Sequence, residues 1–463
     1  MTRSILILTL LLVAGCEETP AVSDDAGTDA GTGPADAGFD AAPSPEECQA
    51  EPGPGPAIPD PGTPTPGPVL DCGVPEIVDG TSLWRWPYLE SATGTSVRVA
   101  WTTRNTGGRG VVRFAPGPAG PWTEIEAATE LFEATRTAQG TDYMAYDATL
   151  SSLSPGTAYC YEIVEDGEVL ARNLRFETAW SGTERPVRML VIGDSGSGSE
   201  NQYAVRDAFM TQDFDIFLHM GDMAYGSGRY DEFEANFFDV YQDLMHRVPV
   251  FPTIGNHEYV TNVGRPYRDV YHTLENVWRD EDRELYYSFD YGNIHFTALD
   301  SNEATLIPIY LDTNDRMTDD MFDWMIDDIT SSDAEWKIVF MHHPFYSSSE
   351  RGIRTNNIVR FRSLLEQAGV DLILVGHDHH YERTHPLLNG CTATEPDGVT
   401  EIIAGGSGAS IRTIETDGWF SATAYNADYS YLMLEVHGCG LHGQAFNTAN
   451  EVVDDFELNG CDP

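Results

Sequence analysis

Five apolar segments after residue 182 each end in residues that bind metals, and this recurrence constrains the fold more than any other feature. Segment 187–192 runs into Gly193-Asp194-Ser195-Gly196, and 214–218 is followed by Gly221-Asp222-Met223-Ala224-Tyr225. Segment 248–254 runs into Gly255-Asn256-His257-Glu258, 337–341 into His342-His343, and 372–375 into Gly376-His377-Asp378-His379-His380. Stretches 201–210, 230–245, 319–329 and 358–368 have helical periodicity. Apolar strands alternating with helices predict an α/β domain with largely parallel pairing. Ligand sites in such sheets lie beyond the carboxyl ends of the strands, and the adjacent glycines permit close backbone approach. Any one fragment alone reads as an ordinary turn or a chance match. Five at five strand ends predict that these motifs converge on one site.

The region before this domain has a different rhythm. Ser96-Val97-Arg98-Val99-Ala100-Trp101 and Gly110-Val111-Val112-Arg113-Phe114 alternate with the two-residue period of half-buried strands. With 158–164, which follows the turn Ser154-Pro155-Gly156-Thr157, and 174–178, they predict an all-β antiparallel sandwich over 74–180. Trp84, Trp86 and Trp101 fit its core better than a sugar-binding face. Further on, 286–300 reads as a hairpin turning at Tyr291-Gly292-Asn293, and 431–436 and 444–446 as antiparallel strands. His219 and His295 fall within strand patterns and read as packed or hydrogen-bonded residues rather than ligands.

The strand-end motifs, in this order, resemble those of the calcineurin-like metallophosphoesterases, and within them the purple acid phosphatases. Tyr225 in Gly-Asp-x-x-Tyr is the distinguishing mark, with Val339-Phe340-Met341-His342 and Gly376-His377-Asp378-His379-His380-Tyr381-Glu382-Arg383. The resemblance extends over roughly 80–436, because Leu153-Ser154-Pro155-Gly156-Thr157-Ala158-Tyr159-Cys160-Tyr161 resembles the late strands of fibronectin type III domains. It implies a four-layer α/β catalytic domain over 183–463. It further implies that Asp194, Tyr225 and His379 bind one metal ion, that Asn256, His342 and His377 bind a second, and that Asp222 bridges them. Hard anionic ligands suit Fe(III), while imidazoles and an amide oxygen suit divalent Zn, Fe or Mn. The implied chemistry is hydrolysis of phosphate monoesters by a metal-bound hydroxide attacking phosphorus, with His257 contacting the substrate. One departure stands out: plant members carry further histidines shortly after the fourth motif, and here Phe345-Tyr346-Ser347-Ser348-Ser349-Glu350-Arg351-Gly352 has none. Arg351 or Arg354 could bind phosphate there, and His343 or His380 could donate a proton, although a packed supporting role suits both histidines better.

The N-terminus carries a targeting pattern. Arg3 precedes a short apolar run ending in Val13-Ala14-Gly15-Cys16, too short for the ~20 residues that span a bilayer. It resembles a bacterial lipoprotein signal over 1–15, which implies a lipid on Cys16 as the one membrane contact and an exported protein, anchored to the cell envelope or secreted. Residues 16–73, rich in Ala, Asp, Gly, Pro and Thr, read as a disordered stalk. Cys48, Cys72, Cys160, Cys391, Cys439 and Cys461 form an even set that fits disulfides of open connectivity in an exported chain. The formal charge of −48, from 74 acidic and 26 basic residues, argues against a nucleic-acid partner. It also repels phosphorylated molecules, so a small phosphorylated substrate needs local positive charge in its pocket. A phosphodiesterase or nucleotide pyrophosphatase with the same metals, or a non-catalytic surface binding module, are the rival readings.

Overall fold

A computed structural model describes residues 57–60, 62–302, 316–354, 361–394, 396–416 and 418–461. The apolar run at the N-terminus, Cys16 and Cys48 lie outside the described residues, as does most of the expected stalk. Among the described residues no helix is long and apolar enough to cross a membrane. The last part of the expected stalk is held to the fold: Thr65 N–H donates to the Glu184 carbonyl at 2.7 Å, and Cys72 is bonded to Cys160.

Two antiparallel sheets form the first part of the chain. Four strands pair in the order Leu83–Glu90, Ser96–Thr103, Tyr143–Ser151, Ala128–Phe132. Five pair in the order Glu76–Ile77, Glu168–Glu177, Ala158–Glu165, Gly110–Ala115, Thr123–Glu126. Alternation sends Val97, Val99 and Trp101 into a core shared with Val112, Ile163 and Leu174 of the other sheet. Trp101 stacks on Tyr146 with ring centroids 5.0 Å apart. Trp84 and Trp86 do not join that core as expected. Register shifts along Leu83–Glu90 break the alternation there. They turn Trp84 toward Tyr143 and Arg104, and Trp86 toward His246 of the following domain.

The second part is built in four layers, with two sheets face to face and helices outside both. Strand Val187–Ile192 shows why: Met189 and Val191 enter the core between the sheets with Phe251, Phe340 and Ile402. Leu190 and Ile192 instead pack under helices with Val205, Phe209 and Leu244. A strand apolar on both faces must be covered on both. One sheet has the order Val250–Pro252, Ile216–His219, Val187–Ile192, Ser430–His437, Gly440–Asn447, Val452–Asn459. The other has the order Tyr287–Tyr291, Ile294–Ala298, Trp336–Phe340, Leu372–Val375, Thr400–Ala404, Tyr381–Thr384, Ser421–Tyr425.

Parallel pairing is confined to the strands that carry the polar motifs and their neighbours Ile294–Ala298 and Thr400–Ala404. Antiparallel strands close both sheets, so the expectation of a largely parallel domain holds only at its centre. The expected helix 230–245 is continuous but contains a π-turn, Glu234–Phe238, between Tyr230–Phe233 and Asp239–Met245. That turn meets the first sandwich: Arg85 pairs with Glu234 at 2.6 Å, both buried.

Candidate metal centre

Three of the five motifs turn sharply as they leave their strands. Asp194, Asp222 and His377 adopt left-handed backbone conformations with φ of 55°, 57° and 68°. Such conformations are sparsely populated by residues other than glycine and persist where the surroundings enforce them. Close approach is enforced too. A Cβ on Gly255 would run into the carboxylate and backbone nitrogen of Asp222. The loops after Ile216–His219 and Val250–Pro252 therefore meet only because glycine stands there.

The polar atoms form two adjoining clusters. In the first, Tyr225 Oη donates to Asp194 Oδ1 at 3.0 Å and lies 3.2 Å from His379 Nε2, which is 3.4 Å from Asp194 Oδ1. In the second, His342 Nε2 lies 3.1 Å from Asn256 Oδ1 and 3.2 Å from His377 Nδ1. Asp222 Oδ2 belongs to both, 3.0 Å from Tyr225 Oη and 3.4 Å from His342 Nε2. Metal–ligand bonds of about 2.0–2.2 Å set edges of roughly 3.0–3.5 Å between ligand atoms, so both clusters have the dimensions of coordination sites. The sequence-predicted residues Asp194, Asp222, Tyr225, Asn256, His342, His377 and His379 are thus all brought together.

Second partners fix the rings. His342 Nδ1–H donates to the Met220 carbonyl at 2.7 Å and His379 Nδ1–H to the Ser410 carbonyl at 2.8 Å, which aims each Nε2 inward. Burial would raise the pKa of Asp222 and lower that of His342. Their mutual attraction outweighs both effects, holding the carboxyl below its usual range and His342 up at about 9. Burial, reinforced by Asp194 and Asp222, pushes the Tyr225 phenol well above its ordinary value.

His257 sits at the more open side. Its Nδ1–H donates to the Gly226 carbonyl at 2.8 Å, its ring lies 4.4 Å from that of Tyr225, and its Nε2 is 3.9 Å from Asp222 Oδ2. His343 and His380 are buried: His343 Nδ1 bonds Ser301 Oγ at 2.8 Å while its ring lies 4.3 Å from that of His377 at the second cluster, and His380 Nε2 turns to Glu382 at 3.0 Å. His219 bonds Ser195 Oγ at 2.8 Å, and His295 lies between Asp290 and Asp328, as their strand positions predicted.

Sequence reasoning missed Glu258. Its buried carboxylate accepts the backbone N–H groups of Asp222, Met223, Ala224 and Gly255 at 2.8–3.1 Å. A glutamate three residues after the start of a helical turn is a capping-box signal that could have revealed it. Asp378 was missed as well: it is fully buried between two of the converging histidines, with Ser349 Oγ donating to it at 2.9 Å.

This architecture belongs to a recognised class of fold. Residues 187–381 match the family model described as calcineurin-like phosphoesterase, and residues 87–183 match the purple acid phosphatase N-terminal domain. The chain thus carries a phosphoesterase domain behind a purple acid phosphatase N-terminal domain. Purple acid phosphatase 21 of Arabidopsis thaliana is 28% identical over 271 residues, 56% of this chain and 57% of that protein. Acid phosphatase type 7 of Homo sapiens is 26% identical over 400 residues, 78% of this chain and 87% of that protein. The fold is shared with purple acid phosphatase PPD1 from yellow lupin seeds, at a TM-score of 0.68 and 20% identity, covering 81% of this chain and 74% of that one.

Proposed function

We propose that the protein is a two-metal phosphatase acting on phosphate monoesters. Asp194, Tyr225 and His379 hold one ion, Asn256, His342 and His377 the other, and Asp222 lies between them. The observation that carries this reading is Asp222 Oδ2 within 3.4 Å of both donor sets, since one carboxylate oxygen shared by two clusters suits a bridged ion pair. Bound ions supply the Lewis acidity that activates water and offsets charge on phosphoryl oxygens. The buried, carboxylate-flanked phenol of Tyr225 resists ionisation, so its use as an anionic ligand calls for a strongly charged ion, and this supports Fe(III) beside divalent Zn, Fe or Mn. The Gly226 carbonyl keeps the proton on Nδ1 of His257 and leaves Nε2 facing the centre, 3.9 Å from Asp222 Oδ2, where it would orient a substrate oxygen.

Two metals per chain by elemental analysis, and turnover of 4-nitrophenyl phosphate faster than bis(4-nitrophenyl) phosphate, are expected, with both collapsing in Asp222→Asn. A metal-loaded wild type favouring the diester would establish the diesterase reading instead. Undiminished turnover in Asp222→Asn would overturn the assignment. The disulfides Cys72–Cys160 and Cys439–Cys461 support an exported location, in keeping with the signal-like N-terminus and Cys16.

A further inference from the structure

The loop that follows His342 brings two guanidinium groups to the second cluster. Arg351 Nη1 lies against Nε2 of His377, and its Nε is 3.0 Å from Asp378 Oδ1. The anchor is rigid, because Asp378 is fully buried and its other oxygen accepts from Ser349 Oγ at 2.9 Å. The Arg351 backbone N–H also donates to Ser349 Oγ, at 3.2 Å. The Arg351 side chain remains 28% exposed, so the guanidinium is pinned on one edge and open on another. Arg354 stands behind it. Its Nε is buried without a hydrogen-bond partner among the described residues, and its charged neighbours are Asp378 and Arg351. Two cations thus share one carboxylate at the edge of the centre, in a chain whose formal charge is −48. This local excess of positive charge is what an anionic substrate needs in order to approach so acidic a surface.

We propose that Arg351, aligned by Asp378 and backed by Arg354, grips the phosphoryl group and selects monoesters over diesters; this rests on the phosphatase reading above. A monoester dianion has three terminal oxygens and a diester two. Two suffice for the paired clusters, and the third is the one a guanidinium fork can hold through two N–H groups. A diester presents an ester arm where Arg351 expects a charged oxygen.

The test uses the metal-loaded full chain with Arg351→Gln, Arg351→Lys and Arg354→Gln. Metal content is measured, together with calorimetric affinity for inorganic phosphate and kcat/KM on 4-nitrophenyl phosphate and its bis-aryl diester. Arg351→Gln is expected to retain both ions, to bind inorganic phosphate about 10- to 100-fold more weakly, and to lose at least about tenfold more on the monoester than on the diester. Arg351→Lys should recover only part of the phosphate affinity, because the charge returns without the fork. Unchanged phosphate affinity, or equal losses on both esters, overturns the proposal. A wild type that binds phosphate in an Arg351-dependent way but cleaves neither ester would defeat the phosphatase reading and leave the grip intact. Monoester turnover indifferent to all three substitutions would do the reverse.

Discussion

The Glu258 carboxylate accepts the backbone N–H of Asp222 at 2.8 Å and so ties two loops of the centre into one unit. Through its other contacts it also holds Met223, Ala224 and Gly255, and it lies two residues from Asn256. This side chain helps to hold the left-handed turn at Asp222. Glu258→Gln keeps the shape but sets an NH2 group against backbone donors, which leaves buried N–H groups without an acceptor. A loss of about 2–4 kcal/mol is expected, with a lowered thermal midpoint and weaker metal uptake. An unaltered midpoint together with full metal content would refute this role.

The buried pair Arg85–Glu234 joins the N-terminal sandwich to the π-turn. Two residues further on, Asn236 Nδ2 donates to the Tyr225 carbonyl at 2.9 Å. Arg85→Met strands a carboxylate in the interface and should cost about 3–5 kcal/mol. Replacing Glu234 by Met as well should recover most of that loss. Thermal unfolding of both single variants and the double variant checks this, and additive losses would contradict it.

His295 makes stability depend on pH through groups outside the candidate metal centre. Burial pulls its pKa down, but hydrogen bonds to Asp290 and Asp328 more than offset that and leave it at about 9. A pKa raised above the ordinary value near 6.5 means that the folded state binds this proton more tightly. The stabilisation is therefore complete below about pH 6.5 and lost as pH rises through 9. Asp290 is largely exposed, so about 1–2 kcal/mol is expected. His295→Gln should lower the thermal midpoint more at pH 6 than at pH 9.5, and an equal shift at both would count against the pairing.

Tyr225 Oη reaches both Asp194 and Asp222 at 3.0 Å, and Phe keeps everything but that oxygen. If the first ion is Fe(III), Tyr225→Phe should abolish a visible phenolate-to-iron absorption while leaving the fold unchanged by circular dichroism. A band that survives the substitution would show that the phenol is not a ligand.

The convergence of the candidate donors was legible because it depends on residue type at strand ends. Seven side chains from five motifs converge as their order implied, and the strands that deliver them are apolar enough to declare themselves. The closing strands were legible only in part: the hairpin 286–300 and strands 431–436 and 444–446 were, but Ser421–Tyr425 and Val452–Asn459 were not. Ser421–Tyr425 has no apolar stripe and is a strand only through pairing with Tyr381–Thr384. The glycines beside the ligands were visible in sequence, but the clash that makes Gly255 necessary exists only once another loop lies against it.

What the sequence determined by itself was the inventory of donors and the alternation of strand and helix, since periodicity and residue chemistry are local. Only the tertiary structure decided which second partners orient them. Glu258 binds a backbone 36 residues away, and His342 is aimed by a carbonyl 122 residues away. The direction of Arg351 is set by Asp378 on a neighbouring strand end. Contacts across such separations follow from how the sheets stack, and no local pattern encodes them.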